Sequence, residues 1–334
     1  MRVVAAADKF RGTATAREVV TAIGRAVEAC GGVCDLVPLA DGGEGTLDVL
    51  GGANRSTTVT GPLGDPVVAG WRLVDRVAVI EMARASGLAL VGGPEGNDAI
   101  AAATHGTGEL IASALDAGAR RIIVALGGSA TTDGGLGALR AVWPTHRLKG
   151  VELVGACDVR TLFVDAAEVF APQKGATPAQ VALLRRRLER LADLYRDEYG
   201  VDVRELIGSG AAGGLGGALA AIGAELVGGF EVVADEIGLA ERIDGADLVV
   251  TGEGNLDQQS FEGKVVGGVA AMAQGAGVPV LAVAGEVLDG AADRVEAVSL
   301  VERFGRDDAI WATTACIEEA VTTWLQTRGS SKPR

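Results

Sequence analysis

Residues 246–286 read "ADLVVTGEGNLDQQSFEGKVVGGVAAMAQGAGVPVLAVAGE", and their order decides the fold. "ADLVV" is a short apolar run with the length and β-branched content of a buried strand. "SFEGKVVGGVAAMAQGAG" is longer, Ala-rich and helically spaced, and "VPVLAVAGE" is again a buried strand. Strand, helix and strand joined by short connections make a right-handed parallel crossover. Between the first strand and the helix the chain presents carboxylates, amides, a hydroxyl and an ammonium on a Gly-rich loop, where parallel sheets hold their ligands.

The N-terminus repeats this grammar. "RVVAAA" (2–7) reads as a strand and "TAREVVTAIGRAVEACG" (15–31) as a helix starting near Thr13 or Thr15, both competent N-caps. "VCDLVPLA" (33–40) is the next strand, and a shorter one is expected in "AVSLVERFG" (297–305). The two ends of the chain are therefore expected to build one α/β domain, a Rossmann/flavodoxin-like parallel sheet that is discontinuous in sequence (1–60 plus 241–334). Residues 61–240 read as an inserted mixed α/β domain: a hairpin in "VVAGWRLVDRVAVIEMA" (67–83) turning at Asp75-Arg76, a helix in 106–119, a strand in 121–128 and a long helix over 178–200. The active site is expected in the cleft between the domains. The tail "TRGSSKPR" (327–334) reads as polar and frayed.

A net charge of −14 excludes the cationic footprint that duplex binding needs, and 4% aromatic residues leave no stacking platform for single strands. The one basic run, "RRRLER" (185–190), lies in a helically periodic stretch and reads as a solvated face. Cys30, Cys34, Cys157 and Cys316 lack zinc-like pairing, and "CGGVC" has the wrong spacing for a redox pair, so they read as reduced thiols. No signal peptide is evident and the apolar runs are too short to span a bilayer. These features point to a cytoplasmic protein, monomer or homodimer, with a small-molecule substrate and with neither nucleic acid nor membrane as partner.

Polar, Gly-rich loops recur at strand ends. "RVVAAA" runs into Asp8, Lys9 and Arg11; "CDLVPLA" into Asp41, Gly42 and Glu44; "ADLVV" into Glu253, Asn255 and Asp257, with Lys264 beyond; "VPVLAVAG" into Gly285 and Glu286. "RIIVAL" runs into "GGSATTDGGLG", with Gly127, Gly128, Ser129, Thr131, Thr132 and Asp133. Carboxylates with glycines, hydroxyls and a few cations suit metal-assisted phosphoryl transfer: acids hold Mg2+, backbone N–H groups cradle phosphate and cations offset developing charge. The 127–137 loop runs into a helix, which would set a positive helix start beside a phosphate, and "ATHGTGELI", with Gly106 and Thr107, has the same character. No P-loop signature is present, no G-x-G-x-x-G follows the first strand, and "GGSAT" is not a hydrolase elbow. "GAAGGLGGA" (210–218) follows a helical segment and reads as close helix packing or a ligand-facing helix start. Lys174, in "APQKGATP", reads as either an exposed turn or a phosphate-binding cation. His146 reads as an exposed loop residue and His105 as a ligand neighbour.

"DKFRGTATA", "ADGGEGT", "IEMARASGLALV", "THGTGELI", "LGGSATTDGGLG", "FAPQKGATPAQV", "GAAGGLGGAL" and "LVVTGEGNLDQQSFEGK" occur in that order from Met1 to about Gly285. In them the chain resembles the bacterial glycerate kinase family of type 1. The resemblance implies ATP- and Mg2+-dependent phosphorylation of D-glycerate by a two-domain α/β enzyme, with 2-phosphoglycerate as product. A 3-phosphoglycerate-forming or related hydroxy-acid kinase, or an inactive ligand-binding sensor, stands as the alternative. Four departures fall in loops: the region after "ALRAV" is shortened to "WPTHRLKG", "CDVRTLF" replaces an Asn-Pro-Leu run, Asn255 stands where Arg is usual, and Glu262 stands where His is usual. On this reading Asp257 or Asp8 is the base that orients the acceptor hydroxyl, and Asp41 and Asp133 are metal or hydroxyl ligands supported by Glu253. Lys9, Arg11 and Lys264 neutralise carboxylate and phosphate, with Gly42 and Asn255 beside the substrate. Gly106, Thr107, Gly127, Gly128, Ser129, Thr131 and Lys174 bind the ATP phosphates.

Overall fold

The structure is a computed structural model that describes residues 1–288 and 290–329, so the last five residues of the tail read as frayed lie outside the described residues. Among the described residues eleven strands follow in chain order: β1 (Arg2–Ala7), β2 (Val33–Pro38), β3 (Arg55–Thr60), β4 (Pro66–Val74), β5 (Val77–Glu81), β6 (Arg121–Ala125), β7 (Glu152–Cys157), β8 (Glu225–Gly228), β9 (Leu248–Leu256), β10 (Val280–Val287) and β11 (Glu296–Ser299). They form two sheets, in two compact units.

The first unit comprises Met1–Asp41 and Phe230–Arg334. Its five strands run parallel in the order β2-β1-β9-β10-β11, the doubly wound order of flavodoxin-like sheets. Both faces are covered, so the strands read as continuous apolar runs. Leu281 and Val283 face a core shared with Ile23 and Val27 of the helix Ala16–Ala29 and with Ile317 and Val321 of the helix Thr313–Gly329. Their neighbours Ala282 and Ala284 face the opposite core with Val266, as the two-residue side-chain period requires. Thr15, not Thr13, caps the first helix, in a reciprocal box with Glu18: Thr15 N–H donates to Glu18 Oε2 at 2.8 Å, and Glu18 N–H to Thr15 Oγ1 at 3.3 Å.

The second unit, Gly42–Gly229, has a mixed sheet in the order β3-β4-β5-β6-β7-β8. The β4–β5 hairpin turns at Asp75 (φ 47°) and Arg76 (φ 67°), the paired positive φ of a type I′ turn. From β5 onward the strands are parallel. The long helix Pro178–Tyr199 is stopped by Gly200 at φ 74°. The units divide at 41/42 and 229/230, where the sequence reading put 60/61 and 240/241. The first difference has a plain cause: β3 is fully hydrogen bonded to β4, so residues 55–60 belong to the second sheet. "AVSLVERFG" is a strand only to Ser299. Ser299 Oγ then accepts the Glu302 N–H at 3.3 Å and starts the helix Leu300–Phe304.

Candidate functional site

In the first unit the sheet order reverses between β1 and β9, with β2 on one side and β10 and β11 on the other. Open α/β sheets bind ligands beyond the carboxyl ends of the strands at such a point. A pocket of about 370 Å³ lies there, lined by Asp8, Lys9, Arg11, Asp41, Glu253, Asn255, Asp257 and Lys264. Eight candidate residues from three separate stretches of sequence are thus in one place. Glu286, from the end of β10, joins them, because Glu286 pairs in register with Asn255.

Asp8 leaves β1 with its N–H donating to Gly252 O of β9 at 3.1 Å. Its Oδ1 accepts the Lys9 N–H at 2.7 Å. Burial first, and the Asp41 carboxylate second, push the Asp8 carboxyl up to about 7. Glu253 has its Oε1 buried without a hydrogen-bond partner. Burial pushes its carboxyl up, against a hydrogen bond from Ser260 and the charge of Lys264. Asp257 has a second task as the cap of the turn Gln258–Phe261: its Oδ1 accepts the Ser260 N–H at 3.0 Å, and Ser260 Oγ accepts the Asp257 N–H at 3.0 Å. The polar crowding of "GNLDQQS" is therefore partly capping chemistry. Lys264 stands at the start of the helix Val265–Gly275 and does not cap it through its side chain.

In the second unit the loop after β6 is nearly sealed. Ser129, Thr131 and Thr132 are buried, and Gly128, at φ 74°, is exposed. Lys174 is neither an exposed turn nor an open phosphate-binding cation. It is 4% exposed, and its Nζ donates to Ser129 Oγ and to Thr131 O, both at 2.7 Å. Burial pushes its ammonium down to about 7, with Asp133 opposing. "GAAGGLGGA" proves to be close packing: Ala212, Gly213 and Gly214 have positive φ, and a Cβ on Gly213 would fall 2.0 Å from Thr131 O.

Four further candidates are committed to the fold. Asp133, expected to hold metal, instead ties two helix starts together. Its Oδ2 accepts Thr104 N–H (2.9 Å), Thr104 Oγ1 (2.8 Å) and Gly137 N–H (3.1 Å), and its Oδ1 accepts Gly135 N–H at 3.1 Å. Four donors fill the roughly four lone-pair positions of a carboxylate. The same carboxylate occupies the helix start that the sequence offered to a phosphate. Thr107, expected near ATP, is wholly buried with its hydroxyl 2.8 Å from Ser86 Oγ. Gly106 lies against β3, where a Cβ would come within 2.0 Å of Thr60 O. Gly42, expected beside the substrate, is buried at φ 84°, its Cβ position 2.7 Å from Gly229 Cα.

Some residues here carried no role in the sequence reading. Glu81 is 3% exposed and holds the "GGEGT" loop: its Oε1 accepts the N–H groups of Gly45 (2.9 Å) and Leu47 (2.8 Å), while its Oε2 pairs with Arg84 Nε at 2.8 Å. Asn97 bridges Ala130 and Lys174 through its amide. Arg306 lines the first unit's pocket and pairs with Glu286 at 2.9 Å. Among the described residues no three His, Cys, Asp or Glu side chains form a ready-made metal site, and no helix is long and apolar enough to cross a membrane.

A doubly wound sheet with acids and cations gathered at its switch point, in a chain whose other unit carries a buried Gly-Ser-Thr loop, defines a small-molecule enzyme of the α/β class. Comparison with known proteins makes the class definite. The model of the glycerate kinase family matches residues 3–143 and 144–328, and the chain belongs to that family. It is similar to the glycerate 2-kinase of Escherichia coli K12, at 39% identity over 86% of each chain. It is 38% identical to a glycerate kinase of Halalkalibacterium halodurans, over 95% of this chain and 96% of the relative. A crystal structure from Salmonella typhimurium LT2, assigned as glycerate kinase 2, superposes with a TM-score of 0.82 at 34% identity, covering 99% of this chain and 98% of that one. The chain is a kinase.

Proposed function

We propose that the protein transfers the γ-phosphoryl group of ATP to the 2-hydroxyl of D-glycerate, with Mg2+. The observation that carries this reading is the Asp8 carboxyl, pushed up to about 7 in a pocket that also holds Lys9, Arg11 and Lys264. A general base works best with a pKa near the working pH. Asp8 is favoured over Asp257 because its carboxyl is pushed up into the range of a general base, while Asp257 serves as the reciprocal cap of the turn Gln258–Phe261. The 2-position rests on similarity to the relative named glycerate 2-kinase.

In the proposed step Asp8 accepts the proton of the acceptor hydroxyl as that oxygen bonds to the γ-phosphorus. The bond from the γ-phosphorus to the β,γ-bridging oxygen breaks, and ADP leaves. Lys9, Arg11 and Lys264 bind the glycerate carboxylate and balance charge on the transferred group. Gly127 and Gly128, the open part of the loop after β6, hold phosphate oxygens, with Ser129 and Thr131 buried behind them as support. A divalent cation fits the first unit's donor set: oxygen ligands only, Asp8 and Glu253 carboxyls pushed up with Asp41 among the causes, and the buried unpartnered Oε1 of Glu253. Asp41 and Glu253 are the residues that would hold it, and two carboxylates suffice where nucleotide phosphates complete the shell. When bound, the ion supplies charge neutralisation on the phosphates.

The test is turnover of purified protein with ATP, Mg2+ and D-glycerate, with products read by phosphorus NMR. A 2-phosphoglycerate resonance supports the reading. 3-Phosphoglycerate would move the acceptor oxygen, and intact ATP over a folded, ligand-binding protein would leave a sensor.

A further inference from the structure

Asn97 and Lys174 lie far apart in sequence and meet on three consecutive residues of the loop after β6. Lys174 Nζ donates to Ser129 Oγ and to Thr131 O. Asn97 Nδ2 donates to Ala130 O at 3.0 Å and to Lys174 O at 2.9 Å. Residues 129, 130 and 131 are thus each held from outside, and the two holders are bonded to one another. Gly175 shows how tight the junction is: at φ 90° its Cβ position lies 2.4 Å from Pro94 O, three residues before Asn97.

The ammonium is in an expensive place. Lys174 is almost fully buried, and no carboxylate forms an ion pair with it among the described residues. Buried lysines are rare unless paired, and stability alone would be served as well by an apolar chain of similar volume. Two of the three Nζ donors are already used on the loop, so Lys174 is poorly placed to grip a phosphate itself. Its neighbours Ser129 and Gly128, by contrast, include the exposed turn of the loop. A loop that must present backbone N–H groups to phosphate in a fixed geometry gains from being held before the ligand arrives.

We infer that Asn97 and Lys174 form a two-residue clamp that holds residues 129–131 and so sets the open turn at Gly127 and Gly128 for the nucleotide phosphates, acting as positioning residues rather than as phosphate contacts. This deepens the proposed function and rests on its assignment of that loop to ATP.

The experiment compares Lys174→Met, which keeps chain length while removing the donors, and the milder Asn97→Ala with the unaltered full-length protein. Hydrogen exchange of amides 127–133 reads the clamp, and the KM values for ATP and for glycerate read its purpose. Both variants are expected to exchange those amides at least tenfold faster. KM for ATP is expected to rise about tenfold for Lys174→Met, with KM for glycerate within twofold of the unaltered value. Unchanged exchange in both variants overturns the clamp. Faster exchange with an unchanged KM for ATP overturns its role toward nucleotide and shows that the loop is not the ATP loop, whereas unchanged exchange with raised KM leaves the loop assignment standing without the clamp. Should Lys174→Met fail to fold, Asn97→Ala alone decides.

Discussion

At Asp8, burial and the Asp41 charge act against ionisation, so the carboxyl proposed as the base is also a burden on the fold. The carboxyl titrates near 7 in the folded chain and near 3.8 when unfolded. Below about pH 4 both states hold the proton and no penalty exists. Between about 4 and 7 only the folded state holds it, so stability falls as pH rises, and above 7 the penalty is complete. The full shift corresponds to at most about 4 kcal/mol, and water in the open pocket reduces this to about 1–3 kcal/mol. In metal-free buffer Asp8→Asn should therefore stabilise the protein by that amount at pH 8 and by almost nothing at about pH 3; with ATP and Mg2+ present it should lower kcat at least ~100-fold. Denaturant midpoints at the two pH values check the first part; equal stabilisation at both would contradict the titration. In metal-free buffer the Asp8 carboxyl should itself titrate near pH 7 by NMR, and a titration near pH 4 would remove Asp8 as the base. Residues of this pocket were legible in sequence because polar side chains directly after apolar runs can only project from strand ends. Asp133, Gly106 and Thr107 were misread because Asp, Thr and Gly before a helix serve capping and close packing as readily as phosphate binding. Asn97 and Glu81 were illegible: the backbone groups they hold lie 33 to 77 positions away.

Elements are held by a few such side chains, and two substitutions separate the effects. Asp133 supplies acceptors to the starts of the helices His105–Asp116 and Leu136–Val142 at once. Asp133→Ala orphans several buried donors and should cost about 2–4 kcal/mol by chemical denaturation. A loss below about 0.5 kcal/mol would return Asp133 to the candidate metal ligands. Arg76 is the opposite case, a side chain at φ 67° in the second central position of a type I′ turn. Arg76→Gly should raise stability by about 0.5–1 kcal/mol with turnover unchanged, because glycine adopts that φ without strain. Most elements were legible from period alone, the hairpin and its turn included. β3 was not: "RSTTVT" is polar and half-exposed, and its strand character comes from its pairing with β4. Residues 300–304, expected to continue the strand, went the other way, since Ser299 caps a helix there.

Across the whole molecule the charge is −14, and five acids crowd one pocket. Any salt relieves diffuse repulsion among surface acids, so stabilisation by MgCl2 alone would say little. The pocket predicts a difference that ionic strength cannot mimic. The Asp41 charge raises the cost of ionising Asp8 and Glu253, and a divalent ion among the three carboxylates would offset that cost, whereas sodium screens it only weakly inside a half-buried site. For a dissociation constant of ~1 mM, about 10 mM Mg2+ should add about 1.4 kcal/mol, because the ion binds the folded state alone. Thermal unfolding in MgCl2 should thus exceed that in NaCl at matched ionic strength by a few degrees, roughly 2–4 °C. In Asp41→Asn and Glu253→Gln that excess should vanish while the sodium effect persists. An excess that survives both substitutions would place the cation elsewhere in the chain, and with it the phosphates that complete its shell. Equal midpoints in the two salts for the unaltered protein would mean that the metal enters only with the nucleotide, which the same titration repeated with ATP present would reveal.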